Sequence, residues 1–382
     1  MNLRDKLRMA GAPPKKAAAA PVFTSCWERT VLHPLDEFPG AFSLQPATVR
    51  LMEATPLPEH FLPRDILYLD TETTGLSGGA GTVAFEVGVG QLEDTGFAVT
   101  QWVMRDYPEE RYLLEKLRDR LEGAAVLCTF NGRSFDIPLL RDRFLMNRMD
   151  ASCLDKPHID LLHIARRVWK LRLGRCNLGR LEQAILGMER QDDLPGSLVP
   201  QRYFDYLKSK DFSLLEPVLA HNGQDIASLC VLLNYMAEAY EHPEKLRFGA
   251  DLLSMGSALE RQRHGEEARR CYRLVPGGRY HAQSQLRLAE SHRRAGEKAH
   301  AARIWEEMIR RHEGGVAPYI ALAKYHEHVT GDVEQALTLT RKAQLLLCEP
   351  GLFTPETVQK TKNALQYRCD RLTRKAAALK GK

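Results

Sequence analysis

Asp65-Ile66-Leu67-Tyr68-Leu69-Asp70-Thr71-Glu72-Thr73-Thr74-Gly75-Leu76 is the stretch whose reading decides the fold. Ile66 to Leu69 form an apolar run that reads as a strand entering a core, and it ends in two acids separated by one residue. Strand periodicity puts Asp70 and Glu72 on one face, where two carboxylates repel unless a cation lies between them. Oxygen-only donors suit Mg²⁺ or Mn²⁺, whereas Zn²⁺ more often recruits His or Cys.

Working outward, Val83 to Val89 and Phe97 to Met104 read as two further strands, so three consecutive strands open a mixed sheet. The turn between the first two, Ser77-Gly78-Gly79-Ala80-Gly81-Thr82, can bring backbone N–H groups close to a phosphate or serve as a permissive hairpin. A helix follows from Glu109 to Leu121, then a short strand, Ala125 to Phe130. That strand runs through an Asn131-Gly132 turn into Phe135-Asp136-Ile137-Pro138, which places Asp136 at a helix start. Asp136 can cap that helix and also turn toward the first two acids. His158-Ile159-Asp160-Leu161-Leu162 is expected to begin another helix, and Asn177 to Ala184 another. In Pro217 to Leu229, His221 and Asp225 stand four apart and share a helix face. An acid there can hold a metal while the imidazole accepts a proton.

The 382 residues allow two or three domains, and 44% hydrophobic content supports large cores. No apolar run is long enough for a membrane span, and Met1 to Arg8 lacks the apolar segment of a secretory signal. A cytoplasmic protein with no membrane partner is the expectation. The eight cysteines are scattered without a C-x-x-C pair, as expected of reduced thiols. Charge is uneven: residues 1–22 carry five Lys/Arg and one Asp, and residues 359–382 carry eight Lys/Arg and one Asp. Basic ends beside an acidic site suit a protein that approaches a polyanion, although Lys-rich ends also serve solubility.

Residues 1–22 read as a flexible basic arm, 23–63 as an irregular lead-in, 64–240 as the α/β domain, 247–350 as helical repeats and 351–382 as a basic terminal helix. Within the repeats Ala268, Ala301 and Ala336 recur at intervals of 33 and 35 residues, and Gly296 and Gly331 each lie five before an alanine. The first copy departs, because Gly265 lies only three before Ala268. A period near 34 of helix, turn, helix is that of tetratricopeptide-type repeats, which dock a protein partner or cap the first domain. The arginine pairs of these helices are either solvated or available to nucleic acid.

Together the acidic segments resemble the DEDD exonuclease superfamily of the ribonuclease-H-like fold. Asp70-Thr71-Glu72 matches its first motif, Asn131-Gly132-Arg133-Ser134-Phe135-Asp136 its second and His221 to Asp225 its third. The whole chain, with helices behind the nuclease-like domain, is similar to the YprB-like group of bacterial proteins. The resemblance implies an α/β ribonuclease-H-like mixed sheet flanked by helices, followed by an all-α helical-repeat domain. It implies two Mg²⁺ or Mn²⁺ ions on Asp70, Glu72, Asp136 and Asp225, with His221 as the base that activates water. The reaction would be 3′→5′ hydrolysis of single-stranded DNA or RNA, with Thr73, Thr74, Leu76, Asn131 and Phe135 gripping the terminal nucleotide. One departure is that the family's histidine branch usually has His-x4-Asp, and here His221 stands at the spacing of the tyrosine branch. Asp160 matches a further acidic position and is expected in a supporting role or as a helix cap. The alternative is a nucleic-acid-binding scaffold whose nuclease-like domain does not cut and whose repeats recruit a partner.

Overall fold

The computed structural model describes residues 25–38, 40–75, 81–190, 194–347 and 355–380. The expected basic arm over 1–22, Leu76 and most of the glycine-rich turn lie outside them.

Six strands form one mixed sheet: β1 (Trp27–His33), β2 (Ile66–Thr73), β3 (Ala84–Glu93), β4 (Gly96–Val103), β5 (Val126–Thr129) and β6 (His158–Asp160). Their spatial order is β1-β4-β3-β2-β5-β6, with β1, β4, β3 and β2 pairing antiparallel and β2, β5 and β6 parallel. The expected three-strand meander is therefore the centre of the sheet, and the acidic strand lies between β3 and β5. Two expectations are corrected. Residues 27–33 are not irregular lead-in but the edge strand β1, whose charged, exposed residues suit a strand that must not recruit another edge. His158 to Asp160 do not begin a helix; they pair with β5 as β6, and the helix starts at Leu161.

The helices α1 (Pro46–Met52), α2 (Glu110–Glu122), α3 (Asp136–Met146), α4 (Leu161–Leu173), α5 (Leu178–Leu181), α6 (Val199–Ser209) and α7 (Glu216–Glu241) flank the sheet. Because β2 is covered on both sides, its apolar residues divide by parity. Ile66 and Tyr68 join the core beneath α4 and α7, while Leu67 and Leu69 join the core beneath α2, α3 and α6. Asp70 and Glu72 share the parity of Ile66 and Tyr68, so they emerge on the face that α7 covers.

From Gly249 the chain is helical: α8 (Gly249–Arg261), α9 (Gly265–Leu274), α10 (His281–Arg294), α11 (Lys298–Arg310), α12 (Ala317–Tyr325), α13 (Val333–Leu347) and α14 (Pro355–Lys380). Each packs on its sequence neighbour. Ala268, Ala301 and Ala336 are fully buried, so the spaced alanines mark close helix contacts. Gly296 and Gly331 take left-handed backbone, with φ of +84° and +76°. In the first copy Arg263, also five before its alanine, takes that conformation with φ of +68°. The departure is thus in residue type and not in backbone geometry.

The helical region is joined firmly to the sheet domain. Leu252, Leu253, Met255, Cys271 and Tyr272 share one core with Trp169 of α4. Arg172 donates from Nε to both oxygens of buried Asp251 at 2.9 Å. The seven described cysteines are free. No helix among the described residues is long and apolar enough to cross a membrane.

Candidate active site

The site forms where α7 crosses the end of β2, and two glycines of β3 permit the approach. Asp70, Gly88 and Gln101 lie in one row across β2, β3 and β4. A Cβ on Gly88 would stand 2.0 Å from Asn222 Oδ1, and one on Gly90 would stand 2.5 Å from Ile226 Cγ2. Asn222 and Ile226 are one helical turn apart, so the bare stripe of β3 is what seats α7 against the sheet. Seated there, fully buried Asn222 donates from Nδ2 to Asp70 Oδ2 at 3.0 Å. Its Oδ1 accepts from Gln101 Nε2 at 3.1 Å, and Gln101 Nε2 also donates to Glu86 Oε1 at 2.9 Å. A buried amide chain therefore fixes the orientation of Asp70.

Asp136 arrives from the far side of β2. It starts α3, as expected, and accepts from Thr71 Oγ1 at 2.6 Å. Burial, opposed by that hydroxyl, pushes its carboxyl up to about 6. Asp70 is raised well above the ordinary carboxylate range, first by burial and then by the charges of Asp225, Asp136 and Glu72, with the Asn222 amide acting in the other direction. Three acids from three segments, Asp225, Asp136 and Glu72, thus act on a fourth, Asp70.

α7 brings His221 and Asp225 to the same edge. His221 Nε2 lies 3.9 Å from Glu72 Oε1 and 3.8 Å from Asp225 Oδ2. The side chain that organises this edge is Arg190, whose guanidinium donates to Asp225 Oδ1 and, from Nη1, to His221 Nδ1 at 3.3 Å. Arginine offers no acceptor, so the neutral imidazole in this arrangement carries its proton on Nε2. Arg190 is itself held by buried Glu182, through Nε at 2.6 Å and Nη2 at 2.7 Å. Burial raises the Asp225 carboxyl, while Arg190 and then His221 pull it back.

The expected substrate contacts are placed unequally. Thr73 Oγ1 donates to the carbonyl of Gly75 at 2.7 Å, and Thr74 Oγ1 accepts from Val83 N–H at 3.0 Å, so both hydroxyls close the loop after β2. Leu76 lies outside the described residues. Phe135 is half-buried at the start of α3. Asn131 has left-handed backbone with φ of +68°, and its N–H donates to Asp160 Oδ1 at 2.9 Å. Asp160 also accepts from Arg133 N–H at 3.2 Å and caps α4 through Leu162 N–H at 3.2 Å. It shapes the turn that carries Asn131, and its charge adds to the upward push on Asp136. A groove of about 630 Å³ opens beside the carboxylates, lined by Asp70, Asp225, Phe130, Asn131 and the basic residues Arg166, Lys170 and Arg175.

Arg190, Asn222 and the paired glycines escaped sequence reasoning. The glycines left a signal, since Gly88 and Gly90 alternate at strand period inside an apolar run. Nothing local ties Arg190 to a helix more than thirty residues later. Among the described residues no group of three or more His, Cys, Asp or Glu side chains is arranged so that it could hold a metal ion. The positive charge of Arg190 occupies the Asp225 edge instead. The donor set nevertheless fits hard divalent cations, because it is all oxygen and its mutual repulsion falls on Asp70.

A family model described as RNase_H superfamily matches residues 67–237, the segment that carries every one of these side chains. The chain is 30% identical over 320 residues to the uncharacterized protein YprB of Bacillus subtilis (strain 168), an overlap of 81% of this chain and 75% of that protein. Among solved structures it is similar to the family B DNA polymerase of the hyperthermophilic archaeon Pyrobaculum calidifontis, with 16% identity and a TM-score of 0.38. That overlap covers 57% of this chain and 30% of the polymerase, a likeness too slight to carry an argument. Sheet, matched segment and relative agree: the chain belongs to the YprB-like proteins and holds a domain of the ribonuclease H superfamily in front of a helical domain.

Proposed function

We propose that this is a metal-dependent 3′→5′ exonuclease of the DEDD type, acting in the cytoplasm on single-stranded DNA or RNA. The observation that carries the reading is the geometry of one buried edge: Asn222 of α7 fixes Asp70, Thr71 beside it holds Asp136, and His221 Nε2 stands 3.9 Å from Glu72 and 3.8 Å from Asp225. Asp70, Glu72, Asp136 and Asp225 would hold two Mg²⁺ or Mn²⁺ ions. When bound, such ions supply an activated water and stabilise the charge on the leaving oxygen.

The remaining roles belong to the chain. Asn222 holds Asp70 in orientation, and Thr71 does the same for Asp136. Arg190 is the counter-ion of Asp225 and a donor to His221, and it would have to leave both for Asp225 to hold a cation. With Nδ1 free of Arg190, His221 can take the other tautomer, its proton on Nδ1 and a bare Nε2 toward a water, which is the requirement for a general base. Asn131 and Phe130, beside the carboxylates, meet the terminal nucleotide, and Phe130 offers a face on which a base can stack. Phe135, Thr73 and Thr74 support the loops around it. The helical domain is read as a tetratricopeptide-type array, a reading that the left-handed turn before each buried alanine supports.

The test is hydrolysis of a 5′-labelled single strand by the purified protein. With Mn²⁺ or Mg²⁺ a ladder shortening from the 3′ end is expected, and EDTA or Asp70→Asn should abolish it. A ladder that persists in Asp70→Asn contradicts the assignment, and cutting of a circular single strand would make the protein an endonuclease instead.

A further inference from the structure

The outer face of α4 carries His163, Arg166, Arg167 and Lys170 at positions i, i+3, i+4 and i+7, a stripe ~10 Å long. The opposite stripe, Ile164, Ala165 and Val168, is buried in the core, so the basic face points outward. Arg166 and Lys170, one turn apart, repel each other unless an anion lies between them. Arg166 lines two adjoining depressions. One is the groove that begins at Asp70 and Asp225. The other, of about 470 Å³, is lined by Arg133, His163, Arg166, Arg167 and Arg261, with Glu53 at its wall. Arg261 is the last residue of α8, so this second depression is shared between the sheet domain and the helical domain.

Four cations of this path differ from the other arginines of the helical domain. Arg269, Arg293, Arg294, Arg310 and Arg311 each bind a glutamate on their own helix. Arg166, Lys170, Arg175 and Arg261 have no carboxylate partner among the described residues, and their charge is uncompensated. Two others are held rigidly at the back of the second depression. Arg133 is fixed by Thr55 Oγ1 at 2.7 Å, by the carbonyl of His158 and by an ion pair with buried Glu53 at 3.4 Å. Arg167 donates to the carbonyl of Met52 at 2.6 Å, and its buried Nε has no protein partner among the described residues. The Arg172–Asp251 pair fixes α8 against α4, so Arg261 is presented at a set position and not on a loose arm.

We propose that a single strand of nucleic acid lies backbone-down along this path, from the carboxylates over α4 to Arg261. In that arrangement the helical domain is part of the substrate site. The inference rests on the proposed nuclease reading for its direction, with the 3′ end at the carboxylates and upstream phosphates at Arg166, Arg133, Arg167 and Arg261. Guanidinium forks suit phosphate oxygens, and the contacts read charge and not sequence, so affinity should be insensitive to base order. It also follows that a strand too short to reach Arg261 gains nothing from the helical domain.

The test uses the full-length protein in EDTA, so that binding is read without hydrolysis. Fluorescence anisotropy of 5′-fluorescein oligomers of twelve thymidines and of twelve uridines is measured across a salt series. Arg261→Glu, a change at an exposed position, should weaken binding about tenfold at low salt and lower the slope of log affinity against log salt by about 0.7. Arg293→Glu, at a residue already paired with Glu290, should leave both quantities unchanged. Wild-type affinity and slope in Arg261→Glu, an equal loss in Arg293→Glu, or no binding by the intact protein would each overturn the path. Binding that depends on Arg261 in a protein that never cuts would leave the path standing and remove the nuclease reading. Cutting that ignores Arg261 would do the reverse.

Discussion

Gly88→Ala is the perturbation whose cost can be worked most fully. The new methyl would stand 2.0 Å from Asn222 Oδ1, 2.8 Å from its Cγ and 3.0 Å from its Nδ2. Asn222 is fully buried on a helix that Ile226 and Leu229 tie to the core, so its amide has nowhere to swing. Overpacking of this kind costs about 1–3 kcal/mol. Displacing the amide also breaks its bonds to Asp70 Oδ2 and Gln101 Nε2, which leaves buried polar groups unsatisfied at about 1–3 kcal/mol more. Asn222→Ala alone loses the same hydrogen bonds and leaves a void. The double variant places the Gly88→Ala methyl in that void, so the two costs should not add, and a coupling of about 1–3 kcal/mol is expected. Urea unfolding midpoints of the wild type, both single variants and the double variant provide the cycle. If the double variant is destabilised by the full sum of the two single changes, the seating of α7 on the bare stripe of β3 is refuted.

Three further outcomes follow from separate parts of the molecule. Arg190→Met should destabilise the protein by about 3–5 kcal/mol in the same unfolding assay, more than Asp225→Asn, because it strands buried Glu182 without its cation; equal costs would mean that Arg190 serves Asp225 alone. Burial, opposed by Arg29 and the Gln101 amide, pushes the Glu86 carboxyl from 4.5 to about 8. Between those values the folded state holds a proton that the unfolded state has lost, so stability should fall by a few kcal/mol as pH rises across that window. Glu86→Gln should flatten that dependence, and an unchanged pH profile would count against it. Arg263→Gly should raise the thermal midpoint, since a left-handed φ of +68° costs a side-chain-bearing residue about 1 kcal/mol relative to glycine; a lowered midpoint would show that the arginine side chain holds the turn.

The parts of the fold that the sequence discloses are those with a local period. β2 announced itself by an apolar run ending in alternating acids, α7 by His221 and Asp225 one turn apart, and α3 by an Asn-Gly turn before Asp136. The strands that escaped have no such period. β6 is three residues long and exists because β5 offers it a parallel edge, while β1 carries Glu28 and Arg29 as an exposed edge strand must. Arg190 is invisible for another reason. Its place is set by Glu182 across an irregular turn and by α7 across the site, and neither contact leaves a spacing to read. The helical domain shows the opposite case, because Arg263 takes the same left-handed backbone as Gly296 and Gly331 although its residue type gives no sign of it.

The most direct test of the central claim, that Asp70, Glu72, Asp136 and Asp225 form one cation-holding centre, is a Mn²⁺ titration of the full-length protein followed by the electron paramagnetic resonance of the free ion. The account predicts that the wild type removes about two equivalents of Mn²⁺ from solution and that Asp70→Asn, nearly identical in shape, removes none with comparable affinity. Binding by Asp70→Asn that matches the wild type in number and affinity would contradict it.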